Sequence, residues 1–258
     1  MASRTEMTGL GIQYLENGIR VLTVIGAADE ALSIGDIADR CGMSKSLLHR
    51  YLTSLHRTGF IRRDEDLRYS VGPAAMTLGL NAVRRFDIGG AARNGLLRLR
   101  ERLNETVALS IWTGNGPHYL QWVESQRAVN VGIRVGVQVS ALKSAGGKVF
   151  LAFLDEEETR YVAERECREF GVSLTEFQQE MNRIRRQGYA TTVESLLPGI
   201  VSAAAPVFGR GGTVMAAVTV VGILGQLNVD KDSPVVEELK RTCSEISQSF
   251  GYNPAAQA

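Results

Sequence analysis

One run of side chains in this sequence offers chemistry to a large polar partner: Lys45, Ser46, His49, Arg50, Thr53 and Arg57, with Leu47 among them. Between Ser44 and Arg63 the chain carries five Lys or Arg residues and no Asp or Glu. Cations and short hydroxyls donate to phosphate oxygens and reach base edges in a major groove, so double-stranded DNA is the expected partner. Arg50 and Ser46 are the candidates for base edges and Lys45 for phosphate. Arg62, Arg63 and Arg68 follow closely and are expected to touch the DNA backbone or minor groove. The positive charge is local, because Met1–Ala75 holds nine basic and nine acidic residues and the whole chain has a formal charge of +1. The alternative is a metabolite-binding signalling or interaction module in which the same surface contacts protein.

Other segments that invite a chemical reading fall short of it. Ser144-Ala145-Gly146-Gly147-Lys148-Val149 resembles a phosphate loop, but Leu142 stands where its leading glycine belongs and Val149 replaces the metal-binding hydroxyl. A serine or cysteine hydrolase needs a base, and the larger C-terminal part holds only His118. Cys167, Cys243 and His118 lack metal-ligand spacing. Glu156-Glu157-Glu158 reads as the acidic first turn of a helix. No catalytic residue, metal or cofactor is therefore expected, and the protein is not expected to be an enzyme. No apolar stretch follows Met1-Ala2-Ser3-Arg4, and the run Val214–Leu224 is about half of a membrane span. With three scattered cysteines, this suits a cytoplasmic, nucleoid-associated protein and no membrane partner.

The candidate DNA-reading residues need a helix-turn-helix to present them, and the sequence supplies its grammar. Ser33 with Asp36 forms a capping box, Gly42 marks a left-handed helix end, and Ser44 caps a second helix. Leu48, Leu52 and Leu55 recur at helical spacing, which turns Ser46, Arg50, Thr53 and Arg57 outward. Gly59–Arg63 and Leu67–Val71 read as strands of a β-hairpin wing with the tip Asp64-Glu65-Asp66. An earlier helix, about Tyr14 to Ala27, is expected to pack Leu15, Ile19, Leu22 and Ile25 behind this pair. Residues up to about Gly11 read as a polar, disordered arm.

After Gly72 the pattern predicts a linker helix to about Arg85 and a further helix from near Asp87 to Leu103. From Thr106 the period changes from helical to alternating. Strands are expected at Val107–Trp112, His118–Val123, Val129–Val135, Tyr189–Val193, Ile200–Phe208 and Thr213–Val221. Helices are expected at Ala145–Phe153, Glu156–Arg165, Ser173–Gln187 and Ser233–Phe250. The fold class is α+β, with a mostly antiparallel six-stranded sheet. The domains expected are 1–71, a linker over 72–88, and 89–258.

From about Gly11 to Phe250 the chain resembles the IclR family of bacterial transcriptional regulators. The likeness rests on Leu32–Ala38, Gly42-Met43-Ser44-Lys45-Ser46, His49-Arg50, Gly59-Phe60-Ile61-Arg62 and Tyr69–Gly72. It continues through Tyr119–Ser125, Gly147-Lys148, Arg185–Tyr189 and Ala203–Phe208. The resemblance implies a winged helix-turn-helix, a linker helix used in dimerisation and a GAF-like effector domain. It also implies a homodimer or homotetramer on palindromic operators, with operator binding modulated by a small-molecule effector. Effector positions carried over from the family fall on Ala145, Gly146, Thr192, Ser202, Thr219 and Val221, with Trp112 lining the site and Trp122 a second candidate. Here the family's acidic pocket residue is Thr192, its frequent cysteine is Ser202, and its loop histidine is Leu142. A less charged site suggests an apolar or aromatic metabolite, such as an aromatic acid, rather than a small oxo acid.

Overall fold

Among the described residues five serines start helices, and each accepts a hydrogen bond from the amide three residues on: Ser33, Ser44, Ser144, Ser173 and Ser233. A short hydroxyl before the first turn satisfies a donor that the helix cannot. The computed structural model describes residues 12–86, 88–132 and 134–253. The expected N-terminal arm and the last residues of the tail lie outside the described residues. The chain divides into two compact units, Met1–Phe86 and Asp87–Ala258.

Two of these caps are full capping boxes with a titratable partner. Asp36 Oδ2 accepts from the Ser33 hydroxyl at 2.7 Å and its amide at 3.0 Å, and Glu176 Oε2 does the same for Ser173. These hydrogen bonds, the side-chain one first, hold both carboxyls below their ordinary values of 3.8 and 4.5. A carboxyl depressed in the folded state adds stability above its unfolded pKa and loses it as pH falls through the folded one. Melting temperature should therefore drop on acidification below those ordinary values, and Asp36→Asn combined with Glu176→Gln should flatten that drop. An acid slope unchanged in the double variant would count against the boxes.

The first unit comprises α1 (Gln13–Gly26), α2 (Ile34–Cys41), α3 (Lys45–Arg57), β1 (Ile61–Arg63), β2 (Tyr69–Val71) and α4 (Pro73–Phe86). Gly42 closes α2 at φ 61°, a left-handed conformation that glycine adopts without penalty, and this turns the chain into α3. Ile37, Leu48, Leu52 and Ile61 are buried together beneath the hairpin, where Arg62 faces Ser70 and Arg63 faces Tyr69. α1 is seated through Val21 and Ile25, with Leu22 packed beside them, so the C-terminal half of the expected face is inward and only its N-terminal half is not. Leu15 and Ile19 are 61% and 55% exposed. They line one side of an apolar groove of about 550 Å³, opposite Leu47, Tyr51 and Leu55 of α3. The apolar spacing of α1 is real, but its two ends do different things.

The second unit comprises α5 (Ile88–Leu103), β3 (Thr106–Trp112), β4 (Pro117–Val123), α6 (Ala145–Phe153), α7 (Glu156–Phe170) and α8 (Leu174–Gln187). It closes with β5 (Ala190–Val193), β6 (Ile200–Phe208), β7 (Val214–Ile223) and α9 (Pro234–Ser249). The five strands run in the order β4-β3-β7-β6-β5, every neighbour antiparallel. One face packs Leu109, Val218 and Val220 against Leu96 and Leu99 of α5 and Leu239 of α9. The other packs Ala204 and Ala217 beneath Val149 and Phe150 of α6, with Val162 of α7 and Ile184 of α8 beyond. A bulge in the β3–β4 ladder falls at Leu109/Ser110, so Tyr119 pairs with Ser110 and Trp122 with Ala108.

The sheet has five strands, not the expected six, because Val129–Val135 forms none among its described residues. Val129 and Val135 are 69% and 59% exposed while Val131 between them is half-buried, so the alternating valines do not share one buried side. The next few residues hydrogen-bond to the sheet. Gly136 donates to Tyr119 O, and Val139 donates to Pro117 O, along the open edge of β4. α7 also runs past its expected end at Arg165 to Phe170, where Gly171 stops it at φ 69°.

Candidate functional site

The surface with DNA-reading chemistry is built on α3. Ser44 fixes its first turn, and burial of Leu48, Tyr51 and Leu52 turns Lys45, Ser46, His49, Arg50, Thr53 and Arg57 into solvent. The Thr53 hydroxyl donates to His49 O at 2.8 Å, and Ser46 Oγ lies 3.2 Å from Ser44 Oγ. Among the described residues no hydrogen bond or ion pair occupies the side chains of Lys45, Arg50, Arg57 or Arg63. Leu47 is half-buried, packed on the core of the unit. Arg50 lies on the α1 side of the helix and borders the apolar groove.

The wing is less open-handed than its composition suggests. Arg62 Nε donates to the Ser70 hydroxyl across the hairpin at 3.0 Å. Arg68 donates its guanidinium to Ala31 O at 3.3 Å and its amide to Asp64 Oδ1 at 2.8 Å. Asp64, Glu65 and Asp66 stand exposed at the tip. Unspent positive charge thus concentrates on α3 and Arg63.

The second candidate site is the sheet face beneath the start of α6. Register places Val221, Ser202 and Thr192 side by side across β7, β6 and β5, and the Thr192 and Ser202 hydroxyls are hydrogen-bonded at 2.7 Å. One row along, Thr219 is 1% exposed and its buried hydroxyl has no partner among the described residues. Ser110 on β3 donates to Ala217 O at 3.3 Å. The first turn of α6 presses on these groups, because a Cβ on Gly146 would stand 3.0 Å from both the Ser110 and the Thr219 hydroxyl oxygens. Ala145 is buried in the same turn.

A small cavity of about 20 Å³ lies beside this turn, lined by Thr192, Ser202 and Val221 together with Tyr119, Val131, Ser144, Leu196, Leu197 and Ile200. It has room for about one water molecule. Its lining carries no Asp, Glu, Lys, Arg or His. Burial pushes the Tyr119 phenol up to about 12, so it stays neutral at physiological pH. Of the expected effector residues, Trp112, Ala145, Gly146 and Thr219 do not line the cavity: the Trp112 ring packs at 5.8 Å from Phe150 on α6, while Trp122 meets Tyr119 edge-on at 5.3 Å. Both indole N–H groups are buried without a partner among the described residues. Sequence reasoning did not find Tyr119, Val131, Ser144, Leu196, Leu197 or Ile200 as lining residues. The one available signal was the apolar pair Leu196-Leu197 inside a turn between two strands, where polar residues are the rule.

Comparison with known proteins bears on both sites. A family model of the IclR helix-turn-helix domain matches residues 14–65, and one of the bacterial transcriptional regulator IclR C-terminal domain matches residues 80–248. The chain is 30% identical to the HTH-type transcriptional regulator BhcR of Paracoccus denitrificans, over 96% of this chain and 90% of that one. The crystal structure of HmgR from Pseudomonas aeruginosa is 33% identical and superposes with a TM-score of 0.62, covering 94% of this chain and all, 100%, of that one. An IclR homologue from Microbacterium hydrocarbonoxydans, in complex with 4-hydroxybenzoate, is similar in fold at 21% identity, with a TM-score of 0.75 and coverage of 93% and 99%.

Proposed function

The chain belongs to the IclR family of bacterial DNA-binding transcriptional regulators, and from that premise we propose that an apolar or aromatic metabolite bound beneath α6 modulates its grip on a palindromic operator. The observation that carries the effector half is the Thr219 hydroxyl, buried and unpartnered beside the backbone of Gly146. A polar atom left unsatisfied in a core is costly, and a ligand oxygen would remove that cost. The neighbouring Thr192–Ser202 pair offers further hydroxyls, and no ionised side chain surrounds them. Such a lining favours a mostly apolar molecule with a few oxygen acceptors over a two- or three-carbon oxo acid, which has little apolar surface beside its carboxylate. The 4-hydroxybenzoate held by the Microbacterium homologue is a molecule of that class.

The cavity is far smaller than the roughly 300–1,000 Å³ of ordinary ligand pockets, so binding requires it to widen. Leu196 and Leu197 on the β5–β6 turn, and Val131 and Ser144 on the connection before α6, are the parts of its wall that lie in loops. Trp112, behind Phe150, completes the wall once α6 shifts. We assign residues 1–71 to operator binding, 72–88 to a dimerisation linker and 89–258 to effector binding and higher assembly, as dimer or tetramer. The protein acts by binding, not by catalysis.

On the DNA side, Arg50 and Ser46 read base edges, Lys45 and Arg57 meet phosphate, and Leu47, His49 and Thr53 fill the groove. Arg62, Arg63 and Arg68 approach the backbone from the wing. Arg50→Ala is expected to cost about 1–3 kcal/mol of specific binding, and Arg62→Ala to weaken all sequences alike and reduce the salt slope by about 1. Equal loss on operator and random DNA for Arg50→Ala would remove it from base reading. The experiment for the whole proposal is a fluorescence-anisotropy titration with the DNA upstream of the gene, over a range of salt, against random DNA. Aromatic acids and small oxo acids are added in turn. Tight, selective, salt-steep binding that an aromatic acid alters supports it. Response to glyoxylate or pyruvate alone refutes the ligand class, and weak binding to both DNAs at every salt favours a protein partner for the wing.

A further inference from the structure

Glu166 of α7 is a buried carboxylate, 4% exposed, that neither the DNA surface nor the effector cavity uses. Its Oε2 accepts from the Ser140 hydroxyl at 2.6 Å and the Leu142 amide at 2.9 Å. Its Oε1 accepts from the Ala141 amide at 3.1 Å, with the Arg165 guanidinium at 3.5 Å. A charge of this kind is costly to bury unless its lone pairs are filled, and here they are filled almost wholly by one turn of an otherwise irregular connection. What the carboxylate adds is a fixed position for residues 140–142.

That turn runs directly into α6. The Ser144 hydroxyl donates to Ser140 O at 2.6 Å and accepts from the Gly147 amide at 3.1 Å. Gly147 in turn sits so close to Ala141 that a Cβ there would stand 2.5 Å from the Ala141 Cα. The anchor is thus passed, through two hydrogen bonds and one backbone contact, to the turn that carries Ala145 and Gly146 over the sheet hydroxyls. We infer that Glu166 is a positioning residue for the effector site: from outside the pocket it sets where the start of α6 stands above Thr219, and so how tightly a ligand is held. This rests on the effector reading given above.

The test uses the full-length protein with Glu166→Gln, which keeps the size of the side chain but replaces an accepting oxygen by a donor. Ser140→Ala, which loosens the same anchor from its other side, stands beside it in case the first variant does not fold. Backbone amide exchange is followed over 140–148 and, for reference, in β6 and β7. Affinity is measured calorimetrically for 4-hydroxybenzoate and by anisotropy for the upstream DNA without ligand. Exchange over 140–148 should rise about ten-fold or more with the strands unchanged. The Kd for 4-hydroxybenzoate should rise about ten-fold or more, with DNA affinity kept. Unchanged exchange over 140–148, or a rise shared equally by the strands, overturns the inference, as does an unchanged ligand Kd despite faster local exchange. If 4-hydroxybenzoate does not bind the wild type at all, the aromatic reading of the site fails, and the exchange pattern alone decides whether Glu166 positions α6.

Discussion

Replacing Leu48 by alanine is expected to cost about 2–5 kcal/mol of folding stability in the N-terminal unit, and operator binding with it. Leu48 is 0% exposed and packs with Ile37, Leu52 and Ile61 at the point where α2, α3 and the wing meet. The removed atoms lose their burial, and three helices and a hairpin cannot all move inward to fill the space. Small units hold only a modest margin of stability, on the order of 5–15 kcal/mol, so the loss takes a large share of it. Because Leu48 holds α3 by its inner side, the outward residues Lys45, Ser46 and Arg50 lose their common frame at the same time. Chemical denaturation followed by circular dichroism checks the first effect and anisotropy on operator DNA the second. A variant that keeps both stability and selective binding would mean that α3 is held chiefly by something other than this core.

The second large effect is expected at Phe150, the bulkiest of the fully buried side chains. It lies in the cluster that joins α6 to Ala204 and Ala217 of the sheet, and its ring meets that of Trp112. Phe150→Ala should destabilise the C-terminal unit by about 3–5 kcal/mol, while Phe150→Leu, which keeps most of the volume, should cost much less. Alanines line the opposite wall and have no spare length to close the void, which places the loss toward the upper end of that range. Calorimetric unfolding of both variants tests this. Near-equal losses would show that aromatic contact with Trp112, not volume, is what Phe150 supplies. Leu48 and Phe150 lie in separate cores, so their costs should add in the double variant.

Much of this architecture was legible because its signals are local. Ser33 with Asp36, Gly42, Ser44 and Ser173 each act within four residues of themselves, and a capping hydroxyl or a left-handed glycine needs no distant partner. Helix content, the wing and the change of period at Thr106 follow from the same kind of signal. Strand order did not, since pairing β3 with β7 joins residues more than a hundred positions apart. Val129–Val135 shows the limit most directly. Alternation of valines signals a strand only if one side is buried, and burial is decided by what else arrives there. Leu15 and Ile19 fail for the same reason in helical form.

At the sites, the outward residues of α3 followed from periodicity alone. Arg62 and Arg68 were counted as free cations, yet Ser70 and Ala31 already take part of their donors, and no local pattern announces those partners. Thr192, Ser202 and Val221 came from family resemblance, and they stand together in one row of the sheet. Leu196, Leu197 and Val131 complete the same cavity from loops, whose placement depends on the whole fold. Glu166 was equally invisible, being one acid among many on a charged helix until the turn it holds is seen.

The bulge in the β3–β4 ladder has an optical consequence. By inserting one extra residue it brings Trp122 to the same side of the sheet as Trp112, and these are the only two tryptophans in the chain. Both indoles therefore lie on the sheet face that α6 covers, and neither belongs to the N-terminal unit. Red-edge excitation of the unlabelled protein addresses the proposed effector face alone, while operator DNA must be followed by a label of its own. The two halves of the regulator can be watched at once, in separate colours, without altering a residue.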